Sequence, residues 1–131
     1  MTTPVTPHRK AFPVLYVGDV RRSAEFYGLL GYVPVYQFPL EGEPHYVGLE
    51  RGESSLGIAD SSWPEAQLGI TVGTAPRFEL FVYVDEVDAD VETFRAAGYQ
   101  VLQAPATMPW GERQAYIADP DGNPVALATP I

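Results

Sequence analysis

Two stretches of the chain repeat one another. VGDVRRSAEFYGLLGY, from Val17 to Tyr32, lies in step with VDEVDADVETFRAAGY, from Val84 to Tyr99. Valine, an acid, valine, glutamate, an aromatic ring and a closing Gly-Tyr recur in order, at Val17/Val84, Asp19/Glu86, Val20/Val87, Glu25/Glu92, Tyr27/Phe94, Gly31/Gly98 and Tyr32/Tyr99. Self-similarity of this kind points to an internal duplication, in which one unit of structure is built twice. Whatever the first half folds into, the second must fold into as well.

Each copy opens on an apolar strand, PVLYV (13–17) or ELFVYV (79–84), rich in the branched and aromatic residues that suit a pleated surface. A helical period follows, through Val20, Ala24, Tyr27 and Leu30 in the first copy and Val87, Val91, Phe94 and Ala97 in the second. Gly31 and Gly98 suit the left-handed position beyond a helix end. Asp19, and Asp85 or Glu86, stand where a carboxylate caps or complements the positive helix start. Three short strands are then predicted in each half, over 32–38, 45–51 and 55–59, and over 100–104, 113–118 and 124–129.

Each half therefore reads βαβββ, and the chain is of the α+β class. Module one covers about 12–60 and module two about 78–131. Between them DSSWPEAQLGITVGTAPR (60–77) carries Pro, Gly and Ser without a clear period, so a linker over about 61–77 is expected. PLEGEP (39–44) and DPDGNP (119–124) carry the turn chemistry of hairpin connections. A four-stranded sheet with one helix on its back keeps a bare face, so two halves must pair within the chain or with a second chain.

Composition narrows the function. There are no cysteines, which removes thiolate nucleophiles, disulfides and Cys-based metal sites. Seventeen Asp and Glu against eight Lys and Arg leave a net charge of −9. That field repels nucleic acid and anionic lipid and draws small cations, or serves solubility alone. No apolar run approaches the ~20 residues that span a bilayer, and MTTPVTPHRK lacks the apolar stretch of a secretion signal. The expectation is a single cytoplasmic unit with no nucleic-acid or membrane partner.

From about Phe12 to Ile131 the chain resembles the vicinal oxygen chelate superfamily, which includes glyoxalase I, extradiol dioxygenases and the bleomycin- and fosfomycin-resistance proteins. The resemblance is carried by VGDVRRSAEFYGLLGY and by the last hairpin, WGERQAYIADPDGNPVAL. It implies a cup of eight mixed strands with helices outside and the functional surface inside, and it implies a homodimer, often with modules paired across chains. Metal-using members place His, Gln and Glu ligands at the first residues of the module-opening strands and near the middle of the closing strands. Carried over, those positions are Phe12 and Glu79, then Ala126 on the last strand, while SSLGIA offers only Glu53 before it and Asp60 after. A divalent transition metal takes about three or four protein ligands, so a lone carboxylate falls short and no metal or other cofactor is expected. His8 lies in a polar tail, and a His45–Glu79 site would need ligands from another chain. Glu79 then binds a cationic group, pairs with an arginine or meets water. No nucleophile elbow and no phosphate-cradling glycine loop is present.

Recognition without chemistry is the better fit. Phe12, Val14 and Tyr16 share one strand face, and Glu79, Phe81 and Tyr83 are their repeat partners. Tyr36, Phe38, Tyr46, Trp63 and Trp110 sit at loops and strand ends, where demand for core filler is low. Trp110, between Pro109 and Gly111, either stacks on a planar ligand for ~1 kcal/mol beyond its buried area or staples the hairpin. Trp63 either caps a module or covers a groove, and Phe38 and Tyr46 flank the PLEGEP turn as packing or as contact. Glu112 and Arg113 are neighbours on a strand, so only one enters a cavity; Arg113 joins the candidate ligand-binding set. The resemblance to the bleomycin-resistance members implies sequestration of a bulky, partly aromatic natural product. The alternatives are a lyase, isomerase or cyclase using Glu79, a metal-dependent glyoxalase-like enzyme using His45, and a domain whose cup is filled by its own side chains.

Overall fold

The computed structural model describes residues 11–131, and it divides into two compact units between Val72 and Gly73. His8 lies outside the described residues. The first unit contains β1 (Val14–Val17), α1 (Val20–Gly28), β2 (Val33–Phe38), β3 (Tyr46–Arg51), β4 (Ser54–Asp60) and α2 (Ser62–Leu68). The second contains β5 (Leu80–Tyr83), α3 (Val87–Ala96), β6 (Val101–Thr107), β7 (Glu112–Ala118) and β8 (Pro124–Pro130). Both units form a four-stranded mixed sheet, in the orders β1-β4-β3-β2 and β5-β8-β7-β6. In each, the opening strand runs parallel to the closing one and the remaining pairs are antiparallel.

The duplication is visible in the packing. On α1, Val20, Ser23, Phe26 and Tyr27 are buried, as is Leu30 just beyond it; the expected stripe is present at Val20, Tyr27 and Leu30 and is widened by Ser23 and Phe26, while Ala24 is only half-buried. The helix packs on β3 and β4, over Val47, Leu49, Leu56 and Ile58. On α3 the buried stripe is Val87, Val91 and Phe94, and Ala97 is exposed. Asp19 caps α1, its side chain accepting from the Arg22 backbone N–H at 3.0 Å. Glu86 makes no such bond at the start of α3, where Asp88 and Asp90 in the first turn complement the helix dipole instead.

The expected linker contains a helix. Asp60 Oδ1 accepts from the Ser62 backbone N–H at 2.8 Å and from its hydroxyl at 2.7 Å, which starts α2. Pro64 sits in the first turn, where a missing N–H costs nothing. Gly69 ends the helix in the left-handed conformation at φ 67°. These bonds hold the Asp60 carboxyl below its usual range. The other difference is β6, which runs on to Thr107 through two register shifts that absorb residues against β7.

Candidate functional site

Each sheet has one face under a helix and one without. In module one the helix-free face is set by register, with Val14 beside Gly57, Tyr16 beside Ala59, Tyr46 beside Ala59, Gly48 beside Gly57 and Phe38 beside Tyr46. Gly48 and Gly57 leave the centre of this face without side chains. The Tyr46 ring lies across the gap, so close that a Cβ on Gly57 would stand 2.6 Å from its hydroxyl. Tyr36 adds a second ring, tilted, with centroids 6.2 Å apart. Burial pushes the Tyr46 phenol above its ordinary range, and the nearby Tyr36 adds to the shift.

Beside this floor α2 raises a wall. Val14, Tyr16, Phe38, His45, Tyr46, Ala59, Trp63 and Leu68 line a half-open cavity of about 450 Å³, within the range that holds a drug-sized molecule. Its lining is almost wholly apolar, with the His45 imidazole and the two tyrosine hydroxyls as polar points. Phe38, Tyr46 and Trp63 from the sequence-based set thus come together. Tyr36 supports them, and Phe12 lies two residues before β1, partly exposed. Sequence reasoning missed Leu68 and Ala59 as lining residues; the helix signal of Asp60, Pro64 and Gly69 was available to find Leu68.

In module two the helix-free face carries Phe81 beside Ala126 beside Tyr116, and Tyr83 beside Ala128 beside Gln114. Phe81 and Tyr83 lean together at 5.4 Å. Glu112 accepts from the Tyr83 hydroxyl at 2.7 Å and from the Trp110 indole N–H at 3.0 Å. Glu79 accepts from the Tyr116 hydroxyl at 2.9 Å. Arg113 corrects the expectation made for it. Its guanidinium bonds both oxygens of Asp88 on α3, at 3.0 and 2.8 Å, so it lies on the helix side and Glu112 is the member of the pair on the aromatic face. The guanidinium holds the Asp88 carboxyl below its usual range.

Two phenols on this face ionise late. Tyr83 is raised by its hydrogen bond to Glu112, then by burial and by that carboxylate's charge; Tyr116 is raised by burial and then by its bond to Glu79. A raised folded-state value means stability that is present below the ordinary tyrosine pKa of about 10 and lost as pH climbs past it. In an alkaline absorbance titration, Glu112→Gln is expected to bring one phenol back toward the ordinary value and leave the rest in place. An unchanged titration curve would contradict the Tyr83–Glu112 bond.

The positions that hold a metal in the resembling family do not fit one here. Phe12 has no side-chain donor atom, Ala126 is fully buried between Phe81 and Tyr116, and Gly57 and Ala59, both buried, occupy the helix-free face of β4. Glu79 is engaged by Tyr116. Among the described residues no three of His, Cys, Asp and Glu gather in one place, and no helix is long and apolar enough to cross a membrane.

Comparison with known proteins agrees with this architecture. A hypothetical protein from S. aureus superposes with a TM-score of 0.77 at 23% identity, over 92% of this chain and 93% of its own. TioX from Micromonospora sp. ML1 gives 0.77 at 20% identity, over 94% and 100%. A glyoxalase-related enzyme from Fulvimarina pelagi gives 0.75 at 27% identity, over 92% and 87%. No protein of curated function matches the chain. Residues 10–127 match the sequence pattern of the Glyoxalase/Bleomycin resistance protein/Dioxygenase superfamily, and with two βαβββ sheets in place the chain belongs to that superfamily.

Proposed function

We propose that this protein is a cytoplasmic, dimeric, metal-independent binder that sequesters a partly aromatic natural product. The observation that carries the proposal is the module-one cavity, about 450 Å³ between the rings of Phe38, Tyr46 and Trp63. Concave, apolar walls with a few polar points are what reversible binding of an organic molecule requires. Its volume accommodates the planar portion of a bulky ligand, with the remainder outside. Exposed Val33, Val35 and Leu40, on or beside β2, supply apolar surface for a second copy.

Calorimetry of the intact protein with bleomycin-type, mitomycin-type and enediyne compounds tests the reading. Saturable binding with no chemical change on recovery is the expected result; no heat with any of the three overturns it. An enzymatic reading has one observation in its favour, the Tyr116–Glu79 hydrogen bond, which pairs a proton donor with a carboxylate. Product formation that Glu79→Gln abolishes would establish it instead.

A further inference from the structure

The helix-free face of module two carries a group with no counterpart in the module-one cavity. Glu112 is held at both oxygens, yet both donors, Tyr83 and Trp110, are neutral. Its neighbour Arg113 is committed to Asp88 on the other side of the sheet. A fixed carboxylate therefore stands among three rings that remain open to solvent, Phe81 at 43%, Tyr83 at 53% and Trp110 at 63% exposure. Rings of this kind attract a cation to their faces, and the effect grows when water is displaced.

A second observation is independent of the first. Gln114 stands between Glu112 and Tyr116 on the same face of β7, beside Ala128 and one strand from Tyr83. It is 4% exposed, and its Oε1 has no hydrogen-bond partner. A buried amide oxygen left unpaired costs about 1–3 kcal/mol, and an N–H from a bound molecule supplies the missing donor. Ala126 and Ala128 keep the floor between these groups low.

We infer that module two has its own binding site for an organic cation bearing an N–H donor, such as a protonated aromatic amine. Glu112 supplies the countercharge, Phe81, Tyr83 and Trp110 supply the ring faces, and Gln114 accepts the N–H. The chain's net charge of −9 raises the encounter rate with such a ligand. The site goes beyond the module-one reading, since none of its residues lines that cavity.

With Trp63→Phe, Trp110 becomes the sole indole and reports on this site alone. Titrate that protein with 9-aminoacridine, a flat cation at neutral pH, and with acridine, the uncharged ring system. Saturable quenching at least tenfold tighter for the cation is expected, weakening as salt is raised. Glu112→Gln should bring the two probes level, and Gln114→Leu should weaken 9-aminoacridine several-fold while circular dichroism shows both variants folded. Equal affinity for the two probes, or cation binding that survives Glu112→Gln, would overturn the inference. Failure of the module-one reading registers separately, at Trp63 in protein carrying Trp110→Phe.

Discussion

Asp119→Ala is expected to cost about 3 kcal/mol and to lower the Tm by roughly 10 °C. The turn DPDGNP reads from the sequence as a simple connection, yet its first acid is 4% exposed and its asparagine 1%. Asp119 Oδ1 accepts from the backbone N–H groups of Asp121 at 2.9 Å and Asn123 at 2.8 Å, and Oδ2 accepts from the Asn123 side-chain amide at 3.0 Å. Asn123 in turn accepts from the Arg77 backbone N–H at 2.9 Å, fixing the segment that leads into β5. Removing the carboxylate strands three donors where water does not easily reach them. The turn also sets the register of β7 on β8, which places Tyr116 beside Ala126. Asp119→Asn, which retains one acceptor, is expected to lose less. A denaturant midpoint for Asp119→Ala within the error of the parent would contradict this account of the turn.

Trp63→Ala is expected to weaken ligand binding about thirtyfold, with little change in stability. The indole is 49% exposed, so its removal from the surface of α2 stays within about 0.5 kcal/mol. In a bound complex the same ring becomes a wall, and aromatic anchors of that kind contribute about 2 kcal/mol, which converts to the stated factor. Trp63→Phe should recover most of the loss. Gly57→Leu is the complementary change, since it drives the Tyr46 ring off the floor and into the cavity; it should abolish binding while Trp63 remains. Calorimetric affinities of the three variants check the set, and a Trp63→Ala protein that binds as the parent does would remove the cavity from consideration.

Strands and long helices were legible because their signals are local. The repeat from Val17 to Tyr32 and Val84 to Tyr99 combines helix period, cap and closing glycine in one window, and the folded chain has βαβββ at both places. The seven-residue α2 is too short for a period to show, so only its punctuation, Asp60, Pro64 and Gly69, marked it. Alternation along β7 showed that Glu112 and Arg113 point apart, but which of them faces the helix depends on Asp88, twenty-five residues away. The cavity was least legible of all. Phe38 meets Tyr46 across β2 and β3, Tyr46 meets Ala59 across β3 and β4, and Trp63 arrives from α2. Those neighbours follow from sheet register, which no short window of sequence contains.

Whether the space above β3 and β4 is a receptor is settled most directly by making Trp63 the sole indole, with Trp110→Phe, and titrating acridine at neutral pH. The expected result is saturable quenching with one site per chain, lost in Gly57→Leu. Linear, unsaturated quenching, unchanged by that substitution, would contradict it.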